Sequence, residues 1–433
     1  MTTPAPARIA SLDVLRGVAI CGILLMNIAG MGGTGRYPLT SFPARWNAEW
    51  ISWGVQTLLV QGAMRGLFTL LFGASMLLML RRAEAGEVAP IDAWARRSLA
   101  LMAFGILQFA VFLWPGEILW NYGVSGLFLL AFRTARPRTL IAAGALLLTA
   151  LSVNSAHWTG QEVRQLREGV AAASVSATGA PLDADQRAAV RAERAEQAEI
   201  HPTAAERGRE VDRRTHIATL VRWSAGYWTE QNIGFTGWVD VAESVAFMLI
   251  GMALFRLGVL TGEARPRVYG AMMLAGYGGG LALRGLAVWL AVRTGLDRGA
   301  PVAPPEDWVL ADALFEPARL LVTLGHVGLV VTLLRSGVLG AATTLRALGR
   351  MTLTVYCLQS ILASVLFYGL GYFGAFSLPQ LWGVAIGIWI ATALFCRWWF
   401  AGHAMGPAEQ LLRWVAYGRR RDASIAAMPV VPA

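Results

Sequence analysis

Six ionisable side chains interrupt long apolar stretches of this 433-residue sequence. They are three arginines and three glutamates: Arg65, Arg284, Arg319, Glu117, Glu243 and Glu316. A charge inside an apolar segment is costly and usually faces a helix-bundle interior or a water-filled cavity. A guanidinium can hold a carboxylate or phosphate through two parallel hydrogen bonds, and a carboxylate can act as a general base. These residue types indicate a polar chamber for an anionic or sugar-like ligand.

The elements that must position these side chains are apolar segments of membrane-spanning length. Hydrophobic residues make up 56% of the chain and charged residues only 15%. Soluble domains have about 45–50% and about 25% respectively, so a water-soluble enzyme is excluded. A bilayer core needs roughly 20 apolar residues per helix. The sequence predicts an all-α, polytopic integral membrane helix bundle of about ten spans: 14–31, 55–80, 98–114, 118–132, 139–153, 238–255, 268–292, 313–334, 351–372 and 381–400.

The placement of arginine predicts the orientation of the bundle. All 37 basic residues are arginine, which excludes mechanisms that need a Schiff-base or phosphate-loop lysine. Cytoplasmic loops close to spans carry the excess of basic residues. The arginines follow this rule when both termini are cytoplasmic. We therefore attribute the net charge of +10 to orientation and contact with anionic membrane lipids, and expect no nucleic acid partner.

In this topology the six charges lie at a similar depth, towards the outer ends of their helices. Two interpretations remain open. The charges either line a charge-balanced chamber that opens outward, or they form structural ion pairs between helices, because buried charges normally persist only when paired. The candidate substrate-binding residues are Arg65, Arg284, Glu316, Arg319, Glu243 and Gln359, the last a polar residue of the ninth span.

A second charged group lies at the predicted inner side. Asp13 and Arg16 are three residues apart and share a helix face, and Arg350 precedes the ninth span. The alternative role for this group is helix capping and anchoring to lipid headgroups. Further along, residues 408–417 predict a short amphipathic helix on the inner membrane surface. The five histidines are too scattered to predict a metal site.

The sequence divides into four parts. Residues 1–156 hold the first five spans and residues 238–402 hold the last five. Between them, residues 157–237 are polar and rich in Ala, Glu and Arg, which predicts a helical excursion on the outer side. In it, Asp183 or Asp185 is expected to cap a helix through 187–200. Residues 403–433 are expected to form the inner interfacial helix and a tail.

Six motifs, in order along the chain, resemble the YeiB-type family of bacterial inner-membrane proteins of unknown function. The first is the opening of the first span, residues 11–17 (SLDVLRG) and 22–27 (GILLMN). The others are residues 65–73 (RGLFTLLFG), 114–119 (WPGEIL), 251–260 (GMALFRLGVL), 349–360 (GRMTLTVYCLQS) and 406–409 (GPAE). The resemblance implies a multi-pass protein of the bacterial inner membrane.

That family is similar in turn to transmembrane acyltransferases of the heparan glucosaminide acetyltransferase type. The shared element is a Leu-Asp-x-x-Arg-Gly helix that ends in asparagine, matched by Asp13, Arg16 and Asn27. Those enzymes move an acyl group from cytoplasmic acyl-CoA to a sugar across the membrane, and use a histidine shortly after the asparagine. This chain has no histidine before His157, so we expect Glu117 to be the base.

Three functional hypotheses follow. The first is an acyltransferase-like enzyme that modifies a lipid or glycan at the outer face. Its catalytic residues would be Glu117 and Asn27, and Asp13, Arg16 and Arg350 would bind the donor. Acyl-CoA would be a co-substrate, with no permanently bound cofactor. The second is a transporter for a small anionic or amphipathic solute, and the third is a membrane scaffold. The sequence is compatible with a homo-oligomer and does not decide the point.

Overall fold

Helices form all the regular secondary structure that this computed structural model describes, in residues 9–34, 39, 46–83 and 89–418. Three π-helical segments extend or link α-helices, at Gln56–Val60, Leu274–Gly280 and Val365–Gly369, and a 3-10 turn follows α5 at Leu129–Phe132. The α-helices are α1 Ala10–Gly32, α2 Ala48–Val55, α3 Ala63–Ala83, α4 Pro90–Ala110, α5 Leu119–Phe128, α6 Pro137–Ser176, α7 Ala184–Ile200, α8 Ala204–Thr215, α9 Ile217–Ile233, α10 Phe235–Arg256, α11 Pro266–Met273, α12 Leu281–Val292, α13 Pro305–Ala313, α14 Phe315–Arg335, α15 Thr343–Arg350, α16 Thr352–Ser364, α17 Leu378–Phe400 and α18 Pro407–Tyr417.

The prediction of an all-α polytopic membrane bundle is confirmed. Within the described residues, eight helical segments are long and apolar enough to cross a membrane: Ala10–Gly32, Ala48–Leu80, Pro137–Ser176, Phe235–Arg256, Pro266–Val292, Pro305–Arg335, Thr352–Gly369 and Leu378–Phe400. The other two predicted spans correspond to α4, which is not among the eight, and to the shorter apolar segment Leu119–Phe132. The total of ten spans and the cytoplasmic termini stay predictions.

Helix α10 forms the centre of the bundle, where it packs against α3, α5 and α6. Most of its apolar side chains are fully buried, including Phe247 and Met248. Glycines let α3 and α10 approach closely: a Cβ on Gly73 would overlap the Met248 carbonyl, and one on Gly251 would overlap the Leu70 carbonyl. Small residues at a membrane helix crossing allow this backbone contact.

A second close crossing joins α1 to α15. A Cβ on Gly17 would overlap the Leu345 carbonyl, and one on Gly349 would overlap the Asp13 carbonyl. Both glycines belong to the motifs that carry the family resemblance. The crossing places Asp13 and Arg350, which lie far apart in sequence, at the same end of the bundle.

Helix α6 extends well beyond the bilayer. Its 40 residues correspond to about 60 Å at 1.5 Å per residue, roughly twice the hydrocarbon thickness. The predicted boundary at residue 157 therefore falls inside a continuous helix. Beyond it the polar segment forms α7, α8 and α9, and Asp183 caps α7 in a reciprocal pair with Gln186. The predicted tail of the last part, from residue 419, lies outside the described residues.

The second membrane segment is broken between Val60 and Ala63. The π-helical segment Gln56–Val60 follows α2, and the chain then turns at Gln61 and Gly62 before α3 begins. Gly62 has φ of 70°, a left-handed conformation that glycine adopts without a steric penalty. The break frees backbone carbonyls inside the bundle, and each freed carbonyl needs a donor.

Candidate functional site

Two polar cavities lie at opposite ends of α3. The larger one has a volume of about 660 Å³ and lies between α3, α6, α10 and α14. We call it the outer cavity, after its predicted side of the membrane. It is lined by Arg65, Glu243, Glu316 and Arg319, four of the six charges that the sequence placed at one depth, and also by Asp240. The position of these charges along the predicted spans was sufficient to predict that they lie together.

The charges of the outer cavity form a connected network. Arg65 lies 3.4 Å from both Asp240 and Glu243. Arg319 donates to Glu316 at 3.1 Å and also pairs with Glu243. Glu243 therefore bridges two guanidiniums while only 5% exposed. Each charge has a partner of opposite sign, as burial requires.

A second group of paired charges lies beside the long helix α6 and lines the same cavity. Arg298 pairs with Glu162 and lies 3.6 Å from Asp312, and Thr159 donates to Asp312. The cavity lining then holds three guanidiniums and five carboxylates. An anionic ligand would have to displace a carboxylate from an arginine. Of the two ligand classes that the sequence left open, this balance favours a sugar-like or other neutral polar ligand.

Arg284, predicted to bind substrate, instead contacts the broken second segment. Its guanidinium donates to the carbonyls of Thr57 at 2.8 Å, Leu58 at 3.1 Å and Gln61 at 2.7 Å. It does not line the outer cavity. A cation at a helix carboxyl end complements the helix dipole and satisfies free carbonyls. These contacts support a structural role for Arg284, while its role in substrate binding stays a prediction. The sequence did not indicate these contacts, because no proline at Gln61 or Gly62 marks the break.

His326 completes the same set of contacts. Its Nε2 lies 2.8 Å from the Leu59 carbonyl, so this nitrogen carries the proton. Its Nδ1 then accepts from the Tyr277 hydroxyl at 2.8 Å. Both ring nitrogens are satisfied, as expected for a structural membrane histidine.

The second cavity has a volume of about 380 Å³ and lies at the other end of α3. We call it the inner cavity. Asp13, Arg16 and Arg350 line it together, so the three residues predicted to bind a donor share one site. Arg16 contacts Asp13 at 3.3 Å and donates to Ser75 at 2.8 Å.

Sequence reasoning missed three further residues of the inner cavity as ligand-binding groups: Arg97, Glu409 and Arg413. Arg97 resembled an ordinary arginine of a cytoplasmic loop, so the positive-inside rule explained it without a site. Arg413 resembled a headgroup anchor of the interfacial helix. In the structure both guanidiniums border the same cavity as Arg16 and Arg350.

Hydrogen bonds to Glu409 link α18 to the start of α16. Its carboxylate accepts from the backbone N–H of Leu353 at 2.7 Å and from the Thr354 hydroxyl at 2.6 Å. A carboxylate at a helix amino end satisfies free N–H groups. Burial raises the pKa of Glu409, while the hydrogen bonds from Thr354 oppose this shift.

A buried hydrogen bond lies between the two cavities. The Tyr122 hydroxyl, at the deep end of the inner cavity, lies 2.5 Å from Thr69 Oγ1. Thr69 in turn donates to the carbonyl of Arg65, one helical turn away in the lining of the outer cavity. Thr69 is fully buried and Tyr122 is 1% exposed. A single helical turn of α3 therefore separates the two cavities.

The remaining predicted site residues line neither cavity. Glu117 is buried and accepts from the N–H groups of Leu119 at 2.5 Å and Trp120 at 3.0 Å, and from the Trp228 indole at 3.0 Å. Asn27 is half-buried on α1, and Gln359 is buried on α16. Two of the three donors on Glu117 are backbone N–H groups in the first turn of α5, as in a helix cap, which favours a structural role over that of a base.

Comparison with known proteins places the chain among relatives of unknown function. Residues 254–419 match the family model DUF418, described as a protein of unknown function. The uncharacterised proteins YxaH of Bacillus subtilis (strain 168) and YeiB of Escherichia coli (strain K12) are each 27% identical to this chain. The YxaH match covers 95% of this chain and 94% of the relative, and the YeiB match covers 94% and 95%.

A shorter match extends the same pattern. An uncharacterised 39.9 kDa protein from the amylase 3' region of Bacillus acidopullulyticus is 33% identical over 34% of this chain and 41% of its own length. No solved structure gave a match. The two full-length similarities agree with the motifs spread along the chain, and the predicted resemblance to YeiB-type proteins of unknown function is confirmed.

Proposed function

We propose that this protein is a multi-pass acyltransferase of the bacterial inner membrane. Acyl-CoA would bind in the inner cavity from the cytoplasm, and a lipid or glycan hydroxyl would enter the outer cavity from the opposite side. The observation that carries the proposal is the pair of polar cavities at adjacent turns of α3, linked by the hydrogen bonds of Thr69 to Tyr122 and to the Arg65 carbonyl. The arrangement suits a transfer between two reactants that never share one aqueous compartment.

The charges of the two cavities fit the two reactants. Arg16 and Arg350 at the inner cavity suit the phosphates of the donor, because a guanidinium recognises phosphate with charge-assisted hydrogen bonds. The paired charges of the outer cavity offer many donors and acceptors without excess positive charge, which suits a polyhydroxyl acceptor.

The reaction balances without a bound cofactor. The carbon–sulfur bond of the thioester breaks, and a carbon–oxygen bond forms to the acceptor. The proton of the acceptor hydroxyl ends on the thiolate, which leaves as free CoA. Thr69 and Tyr122 would have to part, because their hydrogen bond closes the path between the reactants.

The direct test uses purified full-length protein in lipid nanodiscs, with acetyl-CoA and a membrane lipid extract as acceptor. We expect acetyl-CoA to bind and free thiol to appear. Arg350→Gln should weaken binding about tenfold or more, the range for a lost hydrogen bond to a charged group. Arg346→Gln, on the same helix but outside the cavity, is the matched control. Absence of both binding and thiol release at millimolar acetyl-CoA would overturn the proposal.

A transporter for a small solute is the second candidate, favoured by the broken second segment. Discontinuous membrane helices commonly form the binding sites of transporters. Here the break at Gln61 and Gly62 borders the outer cavity, beside Arg65 and Arg319. Uptake of a labelled solute into proteoliposomes, without thiol release from acyl-CoA, would favour this candidate. The third hypothesis, a membrane scaffold, predicts tightly packed ion pairs with no cavity beside them. The cavity beside Arg65 and Arg319 argues against it.

A further inference from the structure

The inner cavity has more positive charge than its own carboxylates can neutralise. Four arginines and two acids line it: Arg16, Arg97, Arg350, Arg413, Asp13 and Glu409. Asp13 contacts Arg16, and Glu409 is held by the amino end of α16. Among the described residues, no carboxylate lies within salt-bridge distance of Arg97 or Arg413. The cavity therefore has two guanidiniums that an incoming anion can neutralise.

Arg97 is the more informative of the two. Its guanidinium lies over the rings of Phe72, at 5.9 Å, and Trp94, at 6.0 Å, so aromatic faces hold it in place. Its buried Nε has no hydrogen-bond partner among the described residues. A partly desolvated cation without a counter-ion is costly. An anionic ligand in the cavity would remove that cost.

The deeper part of the inner cavity is apolar. Phe68, Leu71, Leu101 and Leu119 line it on the way to Tyr122. The four arginines of the lining are half-buried, whereas Leu71, Leu101 and Leu119 are at most 5% exposed, so the charge lies nearer the opening and the hydrocarbon surface behind it. This is the arrangement for a ligand with an anionic head and a hydrocarbon tail, and the volume of about 380 Å³ lies in the usual range for small-molecule sites.

Helix α18 forms one wall of this cavity and faces lipid with its other side. Leu412 and Ala416 are buried against the bundle, and both line the cavity. Leu411, Trp414 and Val415 are between 38% and 46% exposed on the opposite face. A helix with an exposed apolar face lies in the membrane interface. The cavity mouth is therefore at the level of the lipid headgroups.

We propose that the inner cavity binds a phosphate-bearing, single-chain amphiphile, with Arg97 and Arg413 as ligands of the phosphate and the chain behind α18. This inference deepens the proposed function, on which it rests for the identity of the site. The same chemistry occurs in a long-chain acyl-CoA and in a lysophospholipid with a free phosphate. The acyl-CoA would arrive from the cytoplasm, and the lysophospholipid from the inner leaflet.

The test is a binding measurement by titration calorimetry on the full-length protein in nanodiscs. The probes are palmitoyl-CoA, palmitoyl lysophosphatidic acid and uncharged monopalmitin. We expect at least one phosphate-bearing probe to bind tenfold or more tightly than monopalmitin. Preference for palmitoyl-CoA identifies the cytoplasmic source, and preference for lysophosphatidic acid identifies the leaflet. Equal affinity for monopalmitin and both phosphate probes would overturn the inference.

Variants distinguish the contribution of Arg97 to binding from the effect of net surface charge. Arg97→Gln should weaken binding of the preferred probe about tenfold or more. Arg96→Gln, an exposed neighbour on α4, changes net charge equally and should leave affinity unchanged. Arg97→Lys keeps the charge and should bind with intermediate affinity, which also controls for folding. Unchanged affinity in a folded Arg97→Gln protein would overturn the inference.

Binding and turnover report on different claims. If the phosphate probes bind through Arg97 but no thiol is released with any acceptor, the proposed acyl transfer fails and this inference stands. If thiol is released and Arg97→Gln binds and reacts like the unaltered protein, the inference fails and acyl transfer stands.

Discussion

The outer and inner cavities use arginine in opposite ways. In the outer cavity each of three guanidiniums contacts two carboxylates, and the lining has more acids than bases. In the inner cavity four guanidiniums face two acids, both already engaged within the protein. The first arrangement pairs every guanidinium of the lining and leaves no excess positive charge. The second leaves positive charge for a ligand, so the number of arginines in a cavity is a poorer guide to ligand charge than their partners are.

Removal of Glu243 should have the largest effect on this comparison. Glu243→Gln leaves Arg65 and Arg319 without their shared partner, and breaking a buried ion pair costs about 3–5 kcal/mol. Asp240→Asn is the matched control, because Asp240 contacts only Arg65 and its side chain is 34% exposed. Denaturant unfolding in detergent measures both. Similar small losses in the two variants would show that the outer network does not stabilise the bundle.

Replacement of Arg284 should have the next largest effect. Arg284→Gln removes donors from three carbonyls of the broken segment, and we expect a loss on the order of 2–3 kcal/mol in the free energy of unfolding. Ligand affinity in the stable fraction should stay unchanged, since Arg284 lines neither cavity. A selective loss of acceptor binding, with normal unfolding, would return Arg284 to the substrate site that the sequence predicted.

Glu117→Gln tests whether chemistry occurs outside the two cavities. We expect thiol release to persist and the free energy of unfolding to fall by about 1–2 kcal/mol, the usual cost of a weakened helix cap. Activity and unfolding are measured on the same preparation. Abolished turnover in a protein that unfolds normally would establish Glu117 as the base and refute its structural assignment.

The smallest effect concerns pH at the mouth of the inner cavity. Because burial raises the pKa of Glu409 in the folded protein, folding favours its protonated form. The protonated Glu409 therefore contributes to the free energy of unfolding in full below the unfolded pKa of about 4.3. This contribution is lost as the pH rises through the higher pKa of the folded protein. Glu409→Gln should gain stability relative to the unaltered protein as pH increases across this window. A constant difference in unfolding midpoint between the two proteins would contradict the assigned shift.

The sequence predicted the bundle well because apolar length and charge depth are local signals. The predicted spans coincide with helices, and four of the six charges placed at the outer depth line one cavity. The sequence could not distinguish Arg284 from the charges that line the cavity, because its contacts are with carbonyls around the break at Gln61 and Gly62. No proline marks this break, and only the bundle shows which carbonyls it frees.

The inner cavity was predicted only in part for a different reason. Asp13, Arg16 and Arg350 stood out because they lie in motifs at helix ends. Arg97 did not, because an arginine beside a span is expected from topology alone. Arg97 and Arg350 line one cavity because α18 packs against both α4 and α16, which no pattern within one helix predicts.

The unbroken length of α6 links the bilayer to the outer cavity. Leu151 lies in the membrane part of this helix, and Trp158 and Glu162 lie further along it, yet all three line the cavity. A helix without a hinge transmits a change in tilt along its whole length. Bilayers of different thickness change the tilt of spanning helices. The width of the outer cavity should therefore depend on the acyl-chain length of the surrounding lipids, which makes membrane thickness a variable of this protein's activity.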